Sequence, residues 1–395
     1  MCSWFSCGSP QPISKRVVII GGGYAGRDLA QLADPIFDVT WIDPKDCFLH
    51  KVGTIRAAVK SNWAPLMTVP KPELHLKRGK RIQAAATAID EEKKVVTLND
   101  GQSIEYDHLV IATGGLNSSI CEPALTATTT SAIQKHFDEV AGKVKDAKNI
   151  LLVGGGAVGV ELAGEIAAEY PDKSVTVVHS GEFLCDYHDW KNKPTANFGK
   201  DIATKLEAMK VKVILKTRAS VEFPADGAKY LVCARDVSLS SGESLKDVDL
   251  VLLCSGFKPS TSFLPRQWLE EKTGCVKVNA QLQVEGQKEV FAIGDCNNHP
   301  APKLMMMAGT QTHNRWFFPR GQADAALANL IALNTNKPLE TFADTRKKFA
   351  MIVTLGPNAS AVEGAPGFAG RFKRGDFFYG NQWYAKGLKV PAVPK

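Results

Sequence analysis

Six glycines and two strand-end residues are where this sequence can do chemistry. Gly21, Gly23 and Gly26 stand in G-x-G-x-x-G spacing, and Gly154, Gly156 and Gly159 repeat it. The first glycine of such a set allows a sharp turn out of a strand. The second lets backbone approach a pyrophosphate, and the third lets the next helix pack on the strand. That helix offers its N-terminal N–H groups and positive dipole end to phosphate. Asp43 lies twenty residues after Gly23, at the end of the next strand pattern, placed to accept hydrogen bonds from an adenosine ribose. In the second copy the corresponding strand ends in His179-Ser180. Without a carboxylate there, a 2′-phosphate is not repelled, so the second site is expected to accept NADPH alongside NADH. One glycine motif is a weak signal. Two, each between a strand and a helix, predict two dinucleotide sites.

The elements that position these residues are legible as apolar runs. Val17-Val18-Ile19-Ile20 reads as a buried parallel strand running into the first glycines, with Tyr24 and Ala25 opening the helix. Asn149 to Val153 does the same for the second set, followed by a helix from Val160 to Ala168. Its small residues Ala163, Gly164 and Ala167 are expected to permit close packing on the sheet. Two further strands end in glycine turns: Leu109 to Ala112 before Thr113 and Gly114, and Leu250 to Cys254 before Gly256. Val290 to Ile293 runs into Gly294-Asp295, a carboxylate at the carboxyl edge of a sheet, where ligands bind in open α/β folds. Asp295 would also serve as a turn former or helix cap. Asn99-Asp100-Gly101 between apolar strands predicts a hairpin, and 275–279 a short β-segment. His50 and Lys51, ahead of a helix-like segment with Arg56, are candidates for the far end of a bound cofactor.

Composition bounds the class. The 395 residues are 44% hydrophobic and 23% charged, with net charge +7, as in a soluble protein of two or three domains. No apolar run reaches the roughly 20 residues of a membrane span. Basic residues are scattered, and no nucleic-acid partner is expected. The nine cysteines include no C-x-x-C pair, which argues for a reducing compartment and against a disulfide framework. No metal site is expected. Residues 1–14 read as a flexible tail, in which Cys2 and Cys7 beside Trp4 and Phe5 are candidate acylation sites.

Taken in order, Val17 to Gly26 with Asp43, Tyr106 to Gly114, Gly154 to Glu165, Leu250 to Pro259 and Val290 to Asp295 resemble the two-dinucleotide-domain flavoproteins of the pyridine-nucleotide oxidoreductase superfamily. Within it, the ferroptosis-suppressor and apoptosis-inducing-factor-2-like group is nearest in pattern, with type II NADH dehydrogenases more distant. The resemblance covers almost all of residues 15–390 and implies an α/β fold. Two Rossmann-like domains would bind FAD (15–120 and 256–335) and NAD(P)H (121–255), with a smaller α+β domain at 336–395. It implies that Gly21, Gly23, Tyr24, Ala25, Gly26 and Asp43 hold the adenosine half of FAD. Lys51, Arg56, Thr113, Gly114, Gly256 and Asp295 would add to the cofactor sites, and Gly154, Gly156, Gly159 and His179 would hold NADH or NADPH. Glu161, near the nicotinamide, and Lys303, opening the helix beneath the flavin, would be catalytic. Met305-Met306-Met307 would line a flavin or quinone pocket, or simply pack a core.

The activity implied is an NAD(P)H:quinone oxidoreductase, monomeric or homodimeric. It would be cytoplasmic or peripheral on a lipid droplet, plasma membrane or mitochondrial outer surface. Aromatics at 377–384 with Lys386, Lys389 and Lys395 suit such a surface. Alternatives are a ferredoxin or monodehydroascorbate reductase, and a nucleotide-sensing interaction protein of the apoptosis-inducing-factor type. One departure from the family stands out: residues 312–321 look inserted, with Gln311 and Gln322 both candidates for the family's glutamine position.

Overall fold

The computed structural model describes residues 12–69, 76–187, 194–224, 227–300, 321–342 and 351–363. Lys303, the Met305–Met307 run, most of the 312–321 segment, Cys2, Cys7 and the C-terminal aromatics and lysines lie outside them. In chain order the elements that matter are β1 (Arg16–Ile20), α1 (Tyr24–Ala33), β2 (Asp38–Ile42) and α2 (Thr54–Ala57). Then come β3 (Lys80–Ile82), β4 (Ala86–Asp90), β5 (Val95–Leu98), β6 (Ser103–Glu105) and β7 (His108–Ile111). A second series follows as β8 (Asn149–Val153), α3 (Ala157–Glu169), β9 (Ser174–Val178), β10 (Lys212–Ile214), β11 (Tyr230–Ser238) and β12 (Ser244–Leu253). The series closes with β13 (Val290–Ala292), α4 (Gln322–Asn334), β14 (Met351–Leu355) and β15 (Ala359–Glu363).

Contacts divide the chain into two compact units. The first holds described residues 12–48, 76–115, 258–300 and 321–342. Its sheet has the order β13-β7-β1-β2-β3, with every pairing parallel. β1 sits at the centre, and Val17, Val18 and Ile19 are fully buried, as a parallel strand covered on both faces requires. The expected hairpin is present: β4, β5 and β6 form an antiparallel sheet with its turn at Asp100-Gly101. The 275–279 segment makes only isolated bridges from Val276 and Val278, not a strand.

The second unit holds described residues 49–69, 116–187, 194–224, 227–257 and 351–363. Its sheet repeats the plan as β10-β9-β8-β12-β11, parallel except for the antiparallel edge strand β11. β8 and β12 take the central places that β1 and β7 hold in the first unit. In both, the glycine turn therefore leaves the middle of a sheet at its carboxyl edge, where strand order switches.

Two features differ from the sequence reading of domains. Residues 49–69 group with the second unit. The hairpin β14–β15 does too, where a separate C-terminal domain was expected. The physical reason is a close approach on α3. A Cβ added to Gly164 would lie 2.7 Å from Leu355 Cα, and one on Gly356 (φ +72°) 2.7 Å from Ala168 Cβ. Gly164 therefore admits β14, whereas sequence reasoning assigned it to packing on the main sheet.

Candidate functional site

In the first unit the turn after β1 is fixed by its glycines. Gly21 has φ +113°, and its missing Cβ leaves room for the Ala112 carbonyl. A Cβ on Gly26 would overlap the Gly21 carbonyl. A Cβ on Gly23, by contrast, would meet nothing within 4 Å, leaving a cradle at the N-terminus of α1. Trp41 Nε1 donates to Gly21 O at 3.0 Å and braces the turn from β2. Tyr24 packs edge-on against Phe48, and Ala25 is buried.

Asp43 is buried, and both its oxygens accept backbone hydrogen bonds: Oδ2 from Gly22 N–H, and Oδ1 from Lys45 N–H at 2.8 Å. Arg81, from β3, brings Nη2 to 4.0 Å from Asp43 Oδ1 and lies over the Trp41 ring. Its pKa is lowered, burial being the main cause and Asp43 opposing it. Arg81 Nε and Nη1 and the Thr113 hydroxyl are buried without a hydrogen-bond partner among the described residues. Buried polar groups are seldom left unpaired. A ligand carrying ribose and phosphate acceptors suits them, so this unit fits a bound dinucleotide. Sequence reasoning missed Arg81, which belongs to no motif.

Gly114 (φ +63°) and Thr113 follow β7, and Gly114 O accepts from Ser260 N–H at 2.9 Å. Asp295 lies in the turn of Gly294–Cys296 after β13. Gln322, the first residue of α4, holds that turn: its Oε1 accepts from Gly294 N–H at 2.7 Å and from Asn297 Nδ2 at 2.9 Å. Gln322, one of the two glutamines flanking the apparent insertion, is thus bonded to the Asp295 turn; Gln311 lies outside the described residues.

The second unit repeats the turn with different chemistry at its edge. Gly154 has φ +120°, and Gly159 leaves room for the Gly154 carbonyl as Gly26 does for Gly21. Where Gly22 N–H bonds Asp43, Gly155 N–H donates to His179 Nδ1 at 3.2 Å. His179 thus takes over the bracing role of the carboxylate without its charge, its proton residing on Nε2 in this arrangement. The middle glycine is needed in both copies for one reason. A Cβ on Gly22 would strike the Asp43 carboxyl, and one on Gly155 would come within 2.9 Å of His179 Cβ. Gly256 has φ +94°, and a Cβ there would meet Ser118 Oγ at 3.4 Å.

Two carboxyls on α3, one turn apart, are matched differently. Glu165 is bound two-point by Arg56 of α2, Nε to Oε2 and Nη2 to Oε1, both at 2.9 Å, with both side chains buried. The Arg56 guanidinium also lies over the Trp63 ring at 4.7 Å. Lys51 pairs with Glu122 at 2.9 Å. Arg56 and Lys51 are thus placed in the second unit, each with a carboxylate partner. Glu161 Oε1 accepts from Thr354 N–H at 2.9 Å and Thr354 Oγ1 at 3.1 Å. Burial raises the Glu161 pKa to about 7; the two Thr354 bonds oppose the rise and Glu165 adds to it. A carboxyl in this range takes up and releases a proton near neutral pH. None of the seven described cysteines is in a disulfide, so no redox disulfide is present among the described residues.

Comparison with known proteins agrees with this geometry. The family model for pyridine nucleotide-disulphide oxidoreductases matches residues 11–312. Apoptosis-inducing factor homolog B of Dictyostelium discoideum is 33% identical over 310 residues, covering 75% of this chain and 78% of that protein. Human ferroptosis suppressor protein 1 is 30% identical over 378 residues, covering 93% and 94%. Among solved structures, the sulfide:quinone oxidoreductase of Aquifex aeolicus superposes with a TM-score of 0.67 at 17% identity, over 96% of this chain and 93% of that one.

Proposed function

The chain belongs to the pyridine nucleotide-disulphide oxidoreductase family, and from that premise we propose that it is an NAD(P)H:quinone oxidoreductase. It is an FAD-dependent, NAD(P)H-using oxidoreductase; the quinone is the part we add. The observation that carries the reading is the doubled cradle, one copy edged by buried Asp43 and the other by uncharged His179. In this reading the first unit keeps FAD, with Asp43 on the ribose and Arg81, Thr113, Gly114 and the Asp295 turn completing the site. The second unit binds NAD(P)H at Gly154, Gly156 and Gly159. His179 places no carboxylate against a 2′-phosphate, so NADPH is accepted as well as NADH. When bound there, FAD would supply the hydride-accepting and electron-transferring chemistry, which the protein's side chains do not provide themselves. Glu161 holds a proton at its carboxyl up to about pH 7, and Thr354 fixes the orientation of that group. Lys303 remains a second catalytic candidate from the sequence.

The lack of a disulfide or C-x-x-C pair among the described cysteines favours an acceptor outside the protein over an internal dithiol. Among the described residues no helix is long and apolar enough to cross a membrane. A lipid quinone would then be met at a membrane surface, for which the basic, aromatic C-terminal sequence is suited. An acceptor panel tests the reading. Flavin reduced anaerobically by NADH or by NADPH is expected to be reoxidised by a short-chain ubiquinone analogue much faster than by ferredoxin or monodehydroascorbate. Faster reoxidation by either of those would assign the other acceptor instead.

A further inference from the structure

The two glycine cradles differ in what stands before them. A Cβ on Gly23 would meet nothing within 4 Å, whereas one on Gly156 would meet the Tyr187 hydroxyl at 3.6 Å. That hydroxyl accepts a hydrogen bond from Ala157 N–H at 2.9 Å. Ala157 is the first residue of α3, and its N–H is one of the donors that such a helix has available for a pyrophosphate. The loop after β9 holds the phenol in place. Cys185 N–H donates to Gly155 O at 2.8 Å, which ties the loop to the glycine turn two residues before Tyr187. Leu184 packs so tightly that a Cβ on Gly155 would lie 2.6 Å from its Cδ2. Burial raises the Tyr187 pKa and pushes the Cys185 thiol up to about 12. Both groups are therefore neutral, and a charged phosphate oxygen is the stronger acceptor for the same N–H.

We propose that Tyr187 sets the affinity of the second site: its hydroxyl occupies a phosphate position on Ala157 N–H, and pyridine nucleotide binds by displacing it. The proposal rests on the reading of the second cradle as the NAD(P)H site. A contact that exists only in the nucleotide-free chain must break before binding, so it lowers the apparent affinity by its own strength. Neither glycine motif contains Tyr187, and nothing in the sequence marks it.

The test is calorimetric titration of the FAD-loaded Tyr187→Phe protein with ADP-ribose, which carries the pyrophosphate, and with adenosine, which lacks it. The ADP-ribose Kd is expected to fall roughly three- to tenfold, the range of one net hydrogen bond, with adenosine binding unmoved. A packing defect would weaken binding, so tighter binding is the informative sign. In a parallel arm that keeps the hydroxyl, 3-fluorotyrosine at position 187 should show a shifted fluorine resonance on saturation with ADP-ribose. Equal or weaker ADP-ribose binding by the Phe protein, or an unmoved fluorine resonance, would overturn the proposal. If the unsubstituted protein bound no ADP-ribose, the reading of the second cradle itself would fall, and Tyr187 with it.

Discussion

Glu161 and Glu165 are the same residue type on the same helix, yet their partners give them different chemistry. Glu165 faces a guanidinium in two-point contact, the stronger, charge-assisted kind of pairing. Among the described residues Glu161 is bonded by the neutral donors of Thr354, with Glu165, Cys121, Cys185 and Tyr187 as the titratable groups acting on or near it. Burial therefore leaves it protonated below about pH 7 and ionised above. If the protonated form is the working one, flavin reduction by NADH falls as pH rises through about 7. Glu161→Gln, a permanently neutral donor, should remove that break while keeping the low-pH rate within a fewfold; Glu161→Ala should lower the rate at every pH. Stopped-flow rates across pH 5.5 to 9 (about two units around the expected break) would check this, and an unaltered profile in the Gln protein would exclude Glu161 as the titrating group.

α3 gathers these roles because it is apolar nearly all round: Val160, Leu162, Ala163 and Ile166 are fully buried, and a helix of that kind is packed on every side. α2, β14 and the sheet all reach it. The Arg56–Glu165 pair ties α2 to it at negligible exposure. Removing one partner strands a buried charge, so Arg56→Ala should cost about 3–5 kcal/mol in chemical denaturation, whereas Arg56→Met with Glu165→Met should recover most of the loss. A double substitution no more stable than the single would show that the pair contributes more than relief of a stranded charge. The limits of sequence reading appear at this scale. The strands, glycine turns and hairpin were legible because each depends on residues within about ten positions of one another. Arg56 with Glu165 and Glu161 with Thr354 join residues 109 and 193 positions apart. No local pattern encodes such pairings, nor the use of Gly164 to admit β14.

The molecule as a whole is one architectural plan used twice, and its function follows from how the two copies diverged. In the first, Asp43 anchors the turn with a buried carboxylate and Arg81 stands beside it. In the second, His179 braces the turn without charge and Tyr187 stands before the cradle. The two glycine sets and the exchange of Asp43 for His179 were plain in the sequence. Arg81 and Tyr187 were not, since each reaches its site from a stretch that carries no motif, and Gln322 was legible only as one of two candidate glutamines. The central claim is that the copies hold different dinucleotides, one resident and one exchangeable. Anaerobic NADH titration of Gly156→Val, purified with its flavin quantified by absorbance, tests this most directly. The backbone there is extended (φ −74°, ψ −178°), so valine fits the chain but fills the second cradle. The account predicts a normal flavin content that dithionite reduces and NADH does not. Loss of flavin, or bleaching by NADH as in the unsubstituted protein, would contradict it.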